Sequence, residues 1–317
     1  MTTLEISRSE FATLCDRHGN SIFLTSAWIG LFDDLKFYKT VNKDNKALAF
    51  FYVRYFKKMF FPAYRTPLFT PYAGLWIDNP SKNKANYNST EKKIITEISD
   101  FLASKTALIS IAFSSGFTDF QPFIWKKFKV IPNYTYLIPL DQSIETISGA
   151  MTPERRNDIK KAEKDGITVN KTNDMNIVLS LVNNSLDRQN SNSYNDYIKK
   201  ILFEFANPNH SFAFVAYHDG KPIATSFCIF DQEKTYYLLG GYDSSNKHSG
   251  AGASCIWNSI LLSKEMGLKC FDFEGSMLKP IESYFRGFGG NLTPYFTVNK
   301  APFLAEVLLK FFYRSTF

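Results

Sequence analysis

Between residues 211 and 230 the chain reads SFAFVAYHDGKPIATSFCIF, two alternating or apolar runs joined at Asp219-Gly220. Runs of this kind linked by Asp-Gly predict a β-hairpin. A third strand-like run, TYYLLGGYD (235–243), follows, and after it the glycine-bearing turn KHSGAGA (247–253). The period then lengthens. Ile256 and Ile260, like Trp257 and Leu261, stand four residues apart, the spacing of a helix face. Gly267 is placed to stop that helix, and CFDFEG (270–275) reads as a short strand. Strand, glycine turn, helix and strand in succession form a nucleotide-handling layout.

The remaining pattern is α/β throughout. Residues 7–18 and 26–34 read as short helices, the second capped by Thr25 or Ser26. Strands are predicted at 36–42 and 47–55 about a turn at 44–46. The run 66–77, punctuated by Pro67, Pro71 and Gly74, reads as an extended edge. A helix near 90–104 turns Ile94, Ile98, Phe101 and Leu102 inward, and 107–113 is a buried strand. A seam follows at 131–141, with 134–141 as a strand. Thr152 and Pro153 then open a highly charged helix that Gly166 ends before the strand 167–172. Helices at about 174–189 and 194–206 lead to the hairpin. After Gly290 come a last strand and a terminal helix with Leu304, Leu308, Phe311 and Phe312 on one side, read as docked core.

Length and composition narrow this picture. At 317 residues there is room for two domains, each with its own core. A hydrophobic share of 44% and a charged share of 21% indicate a folded chain. No apolar run of roughly eighteen residues predicts a membrane span, and MTTLEISRSEF lacks the form of a secretory signal. Four scattered cysteines predict reduced core thiols, and four unclustered histidines predict no metal site.

The charge of +7 and pI near 9.0 favour an anionic partner. No acidic residue lies between Asp44 and Asp78, where Arg54 and Arg65 stand among many aromatics, Tyr72 included. Two readings stand. One is a groove for a phosphate-bearing substrate or RNA, contacted by Arg54, Arg65 and Tyr72. The other is a half-buried sheet whose lysines protect an edge.

The turn before the helix at 253 carries the candidate chemistry. Gly250 and Gly252 lack a Cβ, so a ligand can approach the backbone there. The unpaired N–H groups of a starting helix suit phosphate. A loop that needs glycine only in order to turn is the alternative. Lys247-x-x-Gly250-x-Gly252 resembles the acyl-CoA pyrophosphate loop of the GNAT acyltransferase superfamily, Arg/Gln-x-x-Gly-x-Gly/Ala, with Lys in the first place. Downstream, FDFEGS (271–276) and YFRGFGG (284–290) resemble the signature DF-x-G-S … F-K-x-x-F-G. That signature belongs to the Fem-like branch, the two-domain relatives of peptidoglycan-bridge aminoacyltransferases. Asp272, Phe273, Gly275, Ser276, Phe285, Phe288 and Gly289 fit, while Arg286 stands where Lys is usual and Phe288 follows one residue early.

The resemblance implies tandem GNAT-like domains, each a mixed, mostly antiparallel sheet flanked by helices. They would span 1–139, with 301–317 packed onto it, and 140–300. It implies a fourth strand (235–243) splayed from a fifth (270–275), with Gly240-Gly241 hosting a bulge. The activity implied is N-acyl transfer from acyl-CoA, such as acetyl-CoA, to an amine by direct attack. The acceptor would be a small molecule or a cell-envelope precursor, in a cytoplasmic setting that includes the inner face of the membrane. Lys247, Gly250, Ala251 and Gly252 would hold the donor. Arg286, Glu274 and Tyr284 would act on the reacting groups, with Asp272 structural; an ion pair with Glu282 one turn earlier is the alternative for Arg286, and packing beside Phe285 for Tyr284. Aminoacyl-tRNA as donor, and a non-catalytic protein that binds an anionic metabolite, are the alternatives. Neither DNA nor a metal is implied.

Overall fold

The structure, a computed structural model, describes residues 1–58, 61–187, 194–275 and 277–312. The chain separates into two compact units, Met1–Asn133 with Pro294–Phe317, and Tyr134–Thr293.

The first unit contains β1 (Thr2–Ile6), α1 (Arg8–His18), α2 (Ser26–Gly30), β2 (Leu35–Val41), β3 (Ala47–Lys58), β4 (Phe61–Arg65), β5 (Leu75–Ile77), α3 (Lys84–Ala103), β6 (Leu108–Phe113) and α4 (Gln121–Trp125). Its strands run in the order β1-β2-β3-β4-β6, with β5 also on β3 and only β4–β6 parallel among these pairs. Strand β3 shows why the aromatic stretch is so apolar. Ala49, Phe51 and Val53 enter a core with Ile94, Ile98 and Ile109, whereas Phe50 and Tyr52 enter another with Phe11 and Phe37. A strand buried on both faces reads as a continuous apolar run. Phe50 stacks on Trp76 with ring centroids 5.0 Å apart, and Tyr52 Oη donates to the Phe23 carbonyl at 2.8 Å. These rings are core packing, as the sheet reading expected, but the strand is buried on both faces rather than one.

Two boundaries differ from the pattern. Helix α3 starts at Lys84 because the Asn83 side chain accepts from the N–H groups of Ala85 and Asn86. Strand β4 carries Pro62, which hid it, and pairs that residue with Lys57.

Strand β7 (Lys129–Pro139) leads into the second unit, which continues with α5 (Ile144–Ala150), α6 (Pro153–Lys164), β8 (Thr168–Thr172), α7 (Met175–Asp187) and α8 (Asn195–Lys200). After a π-helical turn over Ile201–Phe205 come β9 (Ser211–His218), β10 (Lys221–Phe230), β11 (Lys234–Tyr242), α9 (Ala251–Glu265), β12 (Cys270–Asp272) and α10 (Lys279–Arg286). The described residues end with β13 (Asn291–Lys300), whose residues 296–300 pair with β6, and α11 (Phe303–Phe312), whose Ala305 packs on Ala63 and Leu108. The terminal stripe of Leu304, Leu308, Phe311 and Phe312 lies outside the residues whose side chains are described.

The second unit's sheet runs β7-β12-β11-β10-β9-β8, with β11–β12 its parallel pair. The β9–β10 turn takes positive φ at Asp219 and Gly220 (49° and 73°), which the Asp-Gly signal anticipates. Helix α6 begins as read, with the Thr152 hydroxyl accepting from the Arg155 N–H. Helix α9 packs on the sheet through small residues. Ser259 Oγ lies 2.9 Å from Ser226 Oγ, and Thr235 Oγ1 donates to Ser263 Oγ at 2.7 Å. Buried hydroxyls satisfied in this way let helix and strand approach without orphaned polar groups.

All four cysteines are free thiols. Burial pushes the thiols of Cys15, Cys255 and Cys270 up to about 12. No described helix is long and apolar enough to cross a membrane.

A Cβ added at Gly241 would lie 2.2 Å from the Leu181 carbonyl oxygen of α7, whereas one at Gly30 would meet nothing. Gly241→Ala therefore forces α7 from the sheet and costs about 1–3 kcal/mol, read as a lowered Tm. Gly30→Ala leaves Tm unchanged or slightly raised. Equal melting of the two variants contradicts this packing.

Candidate active site

Strands β11 and β12 pair only over Lys234–Tyr236 and Cys270–Asp272. Beyond that point they part. In β11 the register on β10 shifts between Phe227, opposite Leu239, and Cys228, opposite Tyr237, so Leu238 is the extra residue. The bulge thus precedes Gly240-Gly241, where it had been expected. A Cβ at Gly240 would fall 1.8 Å from Tyr237 Oη, which explains the glycine there. The parting leaves a cleft of about 700 Å³ within the second unit. Tyr237, Phe273, Ile281 and Phe285 form apolar walls, and Lys247, His248, Glu274 and Tyr284 bring polar groups.

Alternation along a strand would put Asp272 and Glu274 on the same face, but β12 ends at Asp272. The Asp272 carboxylate is buried, accepting from Thr135 Oγ1 at 2.7 Å and from the Glu274 N–H at 2.8 Å. Glu274 is turned to a φ of 57° and enters the cleft wall. Its Oε1 is buried with no hydrogen-bond partner among the described residues. Burial, and then the charge of Asp272, hold the Glu274 carboxyl well above the usual carboxylate range. It therefore holds its proton to higher pH than an exposed glutamate does.

Tyr284, on α10, faces the cleft near the start of α9, its hydroxyl 3.3 Å from where a Gly252 Cβ would lie. Behind its ring lies the buried Arg155 of α6, with Cζ 4.2 Å from the ring centroid. Burial drives the Tyr284 hydroxyl to hold its proton more tightly, and Arg155 opposes that shift.

The loop before α9 is tied down by His248. A backbone N–H can only donate, so Nδ1 accepts from Gly250 at 3.1 Å and the ring proton lies on Nε2, 3.0 Å from Asp165 Oδ2. Lys161 and then His248 bring the Asp165 carboxyl down to about 2. Gly250 is a glycine for packing. A Cβ there would lie 2.0 Å from the Asp158 carbonyl oxygen of α6. Ala251 is buried in the core. No side chain caps α9, so the N–H groups of its first turn, at Gly252 and Ala253, take no capping hydrogen bond, and Gly252 lines the cleft. Of the four expected donor-binding residues, Lys247 and Gly252 line the cleft; Gly250 and Ala251 support it from behind.

Arg286 does not join Glu274 and Tyr284. Its side chain is 61% exposed and its Nε lies 3.2 Å from Glu282 Oε1, one turn earlier on α10. Glu282 also accepts from Tyr136 Oη at 2.6 Å. The cation beside Tyr284 is Arg155, which the sequence places only within a charged helix; Tyr237 and His248 were missed. Ser276 lies outside the described residues.

In the first unit Arg54 and Arg65 face each other across β3 and β4 and share a pocket of about 290 Å³ with Thr66, Ser110 and Thr297. Arg54 Nε pairs with Asp34 at 2.6 Å. Arg65 Nε is buried without a hydrogen-bond partner among the described residues. Tyr72 is buried edge-on to Tyr295 and does not line this pocket. Among the described residues no group of three His, Cys, Asp or Glu gathers as a metal site requires.

Residues 154–286 match the family described as Acetyltransferase (GNAT) domain. The second unit carries a GNAT domain. No curated protein matches the chain in sequence. Among solved structures, FemX aligns at TM-score 0.65 and 13% identity, over 97% of this chain and 100% of that one. The C-terminal domain of a putative lysylphosphatidylglycerol synthetase from Agrobacterium fabrum aligns at 0.59 and 12%, over 96% and 95%. A tandem GNAT protein from the clavulanic acid biosynthesis pathway aligns at 0.53 and 8%, over 95% and 98%. At these identities the likeness is one of fold, and it includes a tandem GNAT protein.

The protonation of Glu274 is open to direct measurement. Above about pH 4.5 the unfolded chain gives up a proton that folded Glu274 keeps. Wild-type stability therefore falls as pH rises toward the folded pKa, by at most about 1.4 kcal/mol per pH unit from this group. Glu274→Gln is free of that loss. Its Tm should exceed that of wild type at pH 8, with the difference shrinking toward pH 4.5. A difference constant across that range contradicts a protonated Glu274.

Proposed function

We propose that the GNAT domain transfers an acyl group from an activated carrier to an amine held in the cleft between β11 and β12. The observation that carries this reading is the convergence of Glu274, Tyr284 and the uncapped start of α9 on one apolar-walled cleft. The amine nitrogen bonds to the acyl carbon, and the carbon–sulfur or carbon–oxygen bond to the carrier breaks. Tyr284 Oη gives its proton to the departing atom and is reprotonated from solvent. Glu274 releases its proton to solvent when an ammonium arrives beside it, because an opposite charge favours the carboxylate; it then accepts one of the ammonium's protons, and the second, lost as the amide forms, passes to solvent. Beyond Tyr236, β11 is no longer paired with β12, which leaves ladder groups on that edge for the amide-bearing arm of the carrier.

Acyl-CoA is the donor that the site's chemistry favours. The first-turn N–H groups of α9 and the Lys247 ammonium suit a pyrophosphate, and the apolar walls suit a pantetheine arm. Arg54 and Arg65 are proposed to bind an anionic group in the first unit's own pocket, a part that buried Tyr72 does not share. A second reading, an aminoacyl-tRNA donor, draws on the FemX and lysylphosphatidylglycerol synthetase folds. It draws also on Gly250, whose N–H and open side are both taken by protein groups.

Calorimetry with CoA and acetyl-CoA, with charged tRNA as competitor, separates the two readings. Gly252→Val fills the cleft mouth beside Tyr284 and should weaken CoA binding at least about tenfold with Tm unchanged, since its neighbour is a side-chain hydroxyl rather than backbone. Gly250→Val is the wrong probe, because it displaces α6. Once an acceptor is in hand, Tyr284→Phe should lower kcat by roughly 100- to 10,000-fold with little change in KM. CoA binding undisturbed by Gly252→Val removes this site. Binding of charged tRNA alone moves the donor to the second reading.

A further inference from the structure

Arg155 is an unusual residue to bury. Its side chain is 7% exposed, in a helix whose other basic residues face solvent or the surface. Its Nη1 pairs with Asp158 Oδ2 at 2.5 Å, one turn along α6. Its Nε is buried with no hydrogen-bond partner among the described residues. The flat guanidinium lies 4.2 Å from the centroid of the Tyr284 ring and 5.4 Å from that of Phe288. A Cβ on Gly287 would come within 3.3 Å of Nε, so the C-cap of α10 is shaped to admit it.

A cation desolvated against an aromatic face is held by the ring's quadrupole and withdraws electron density from it. In a phenol that density is shared with the oxygen, so a cation behind the ring makes the O–H a stronger donor at its far end. Asp158 works the other way. Its carboxylate partly cancels the guanidinium, and burial, ahead of its other neighbours, favours the protonated acid there.

We propose that Arg155 is the positioning residue of the cleft: its buried guanidinium fixes the Tyr284 ring and polarises the Tyr284 hydroxyl toward the bound donor. This rests on the reading of Tyr284 as proton donor in the transfer. It assigns to α6 a part that the GNAT match alone does not. Arg155 touches no reacting atom, and its effect passes through the tyrosine. The groups that act on the Tyr284 hydroxyl include Arg155, Asp158 and the Cys255 thiol.

The test uses the full chain without ligand. A 3,5-difluorotyrosine placed at position 284 brings the phenol's titration into an accessible range and reports it by fluorine NMR. Arg155→Met, which keeps length and removes charge, should lower the acid dissociation constant at 284 by about tenfold or more. Arg155→Lys should stay within about threefold of wild type. Asp158→Asn, which removes the opposing charge, should raise it. A merely structural Arg155 gives variants that shift the titration in the same direction, or not at all, and either result overturns the proposal. If Arg155→Met does not fold, Asp158→Asn decides: a rise supports the proposal and no rise overturns it. The readout needs no donor or acceptor, so failure to detect acyl transfer leaves it standing as a test of Arg155 and counts only against the proposed reaction.

Discussion

A single buried carboxylate governs the geometry of the second unit. Asp272 ends β12 with its charge out of water, a placement that costs several kcal/mol unless hydrogen bonds offset it. Thr135 and the Glu274 N–H supply those bonds. The second bond turns the chain into a left-handed conformation, so β12 cannot continue beside β11. The cleft exists because the strand stops there. Burial, and then the same negative charge, disfavour a second anion on Glu274 and shift its carboxyl upward. One anion thus ends the strand and adds to the burial that raises the pKa of the residue beside the opening.

Local signals in the sequence read well where local physics decides. The Asp219-Gly220 hairpin, the Thr152 cap with Pro153 behind it, and the αL glycines 166 and 267 depend on a few adjacent residues, and each is found. What failed depends on partners far along the chain. Arg155 and Arg156 are neighbours in a charged helix, yet only Arg155 is buried, because Tyr284 and Phe288 arrive to cover it. Arg286 had a visible competitor for its charge in Glu282, and that ion pair forms. Gly250 matches a loop pattern, but the atom that demands a glycine there belongs to Asp158. A motif letter records that a Cβ is forbidden, without saying whether ligand or protein forbids it.

The basic, aromatic stretch of the first unit makes a related point about charge. Its rings divide between two cores on opposite faces of β3, leaving little aromatic surface for stacking. Its arginines divide too. Arg54 is matched by Asp34, while Arg65 sits behind Phe56 with its Nε unmatched among the described residues. An excess of positive charge in a sequence window therefore says little until each cation's neighbours are known.

The cysteines carry a practical consequence. Thiol reagents react with thiolate, and burial has pushed the thiols of Cys15, Cys255 and Cys270 to about 12 and that of Cys228 upward as well. At neutral pH the folded chain presents almost no reactive sulfur of its own. A chromogenic disulfide added to the native protein therefore meets a quiet background, and any colour that develops with a thioester reports the freed carrier thiol, turnover by turnover, without a coupling enzyme or a label.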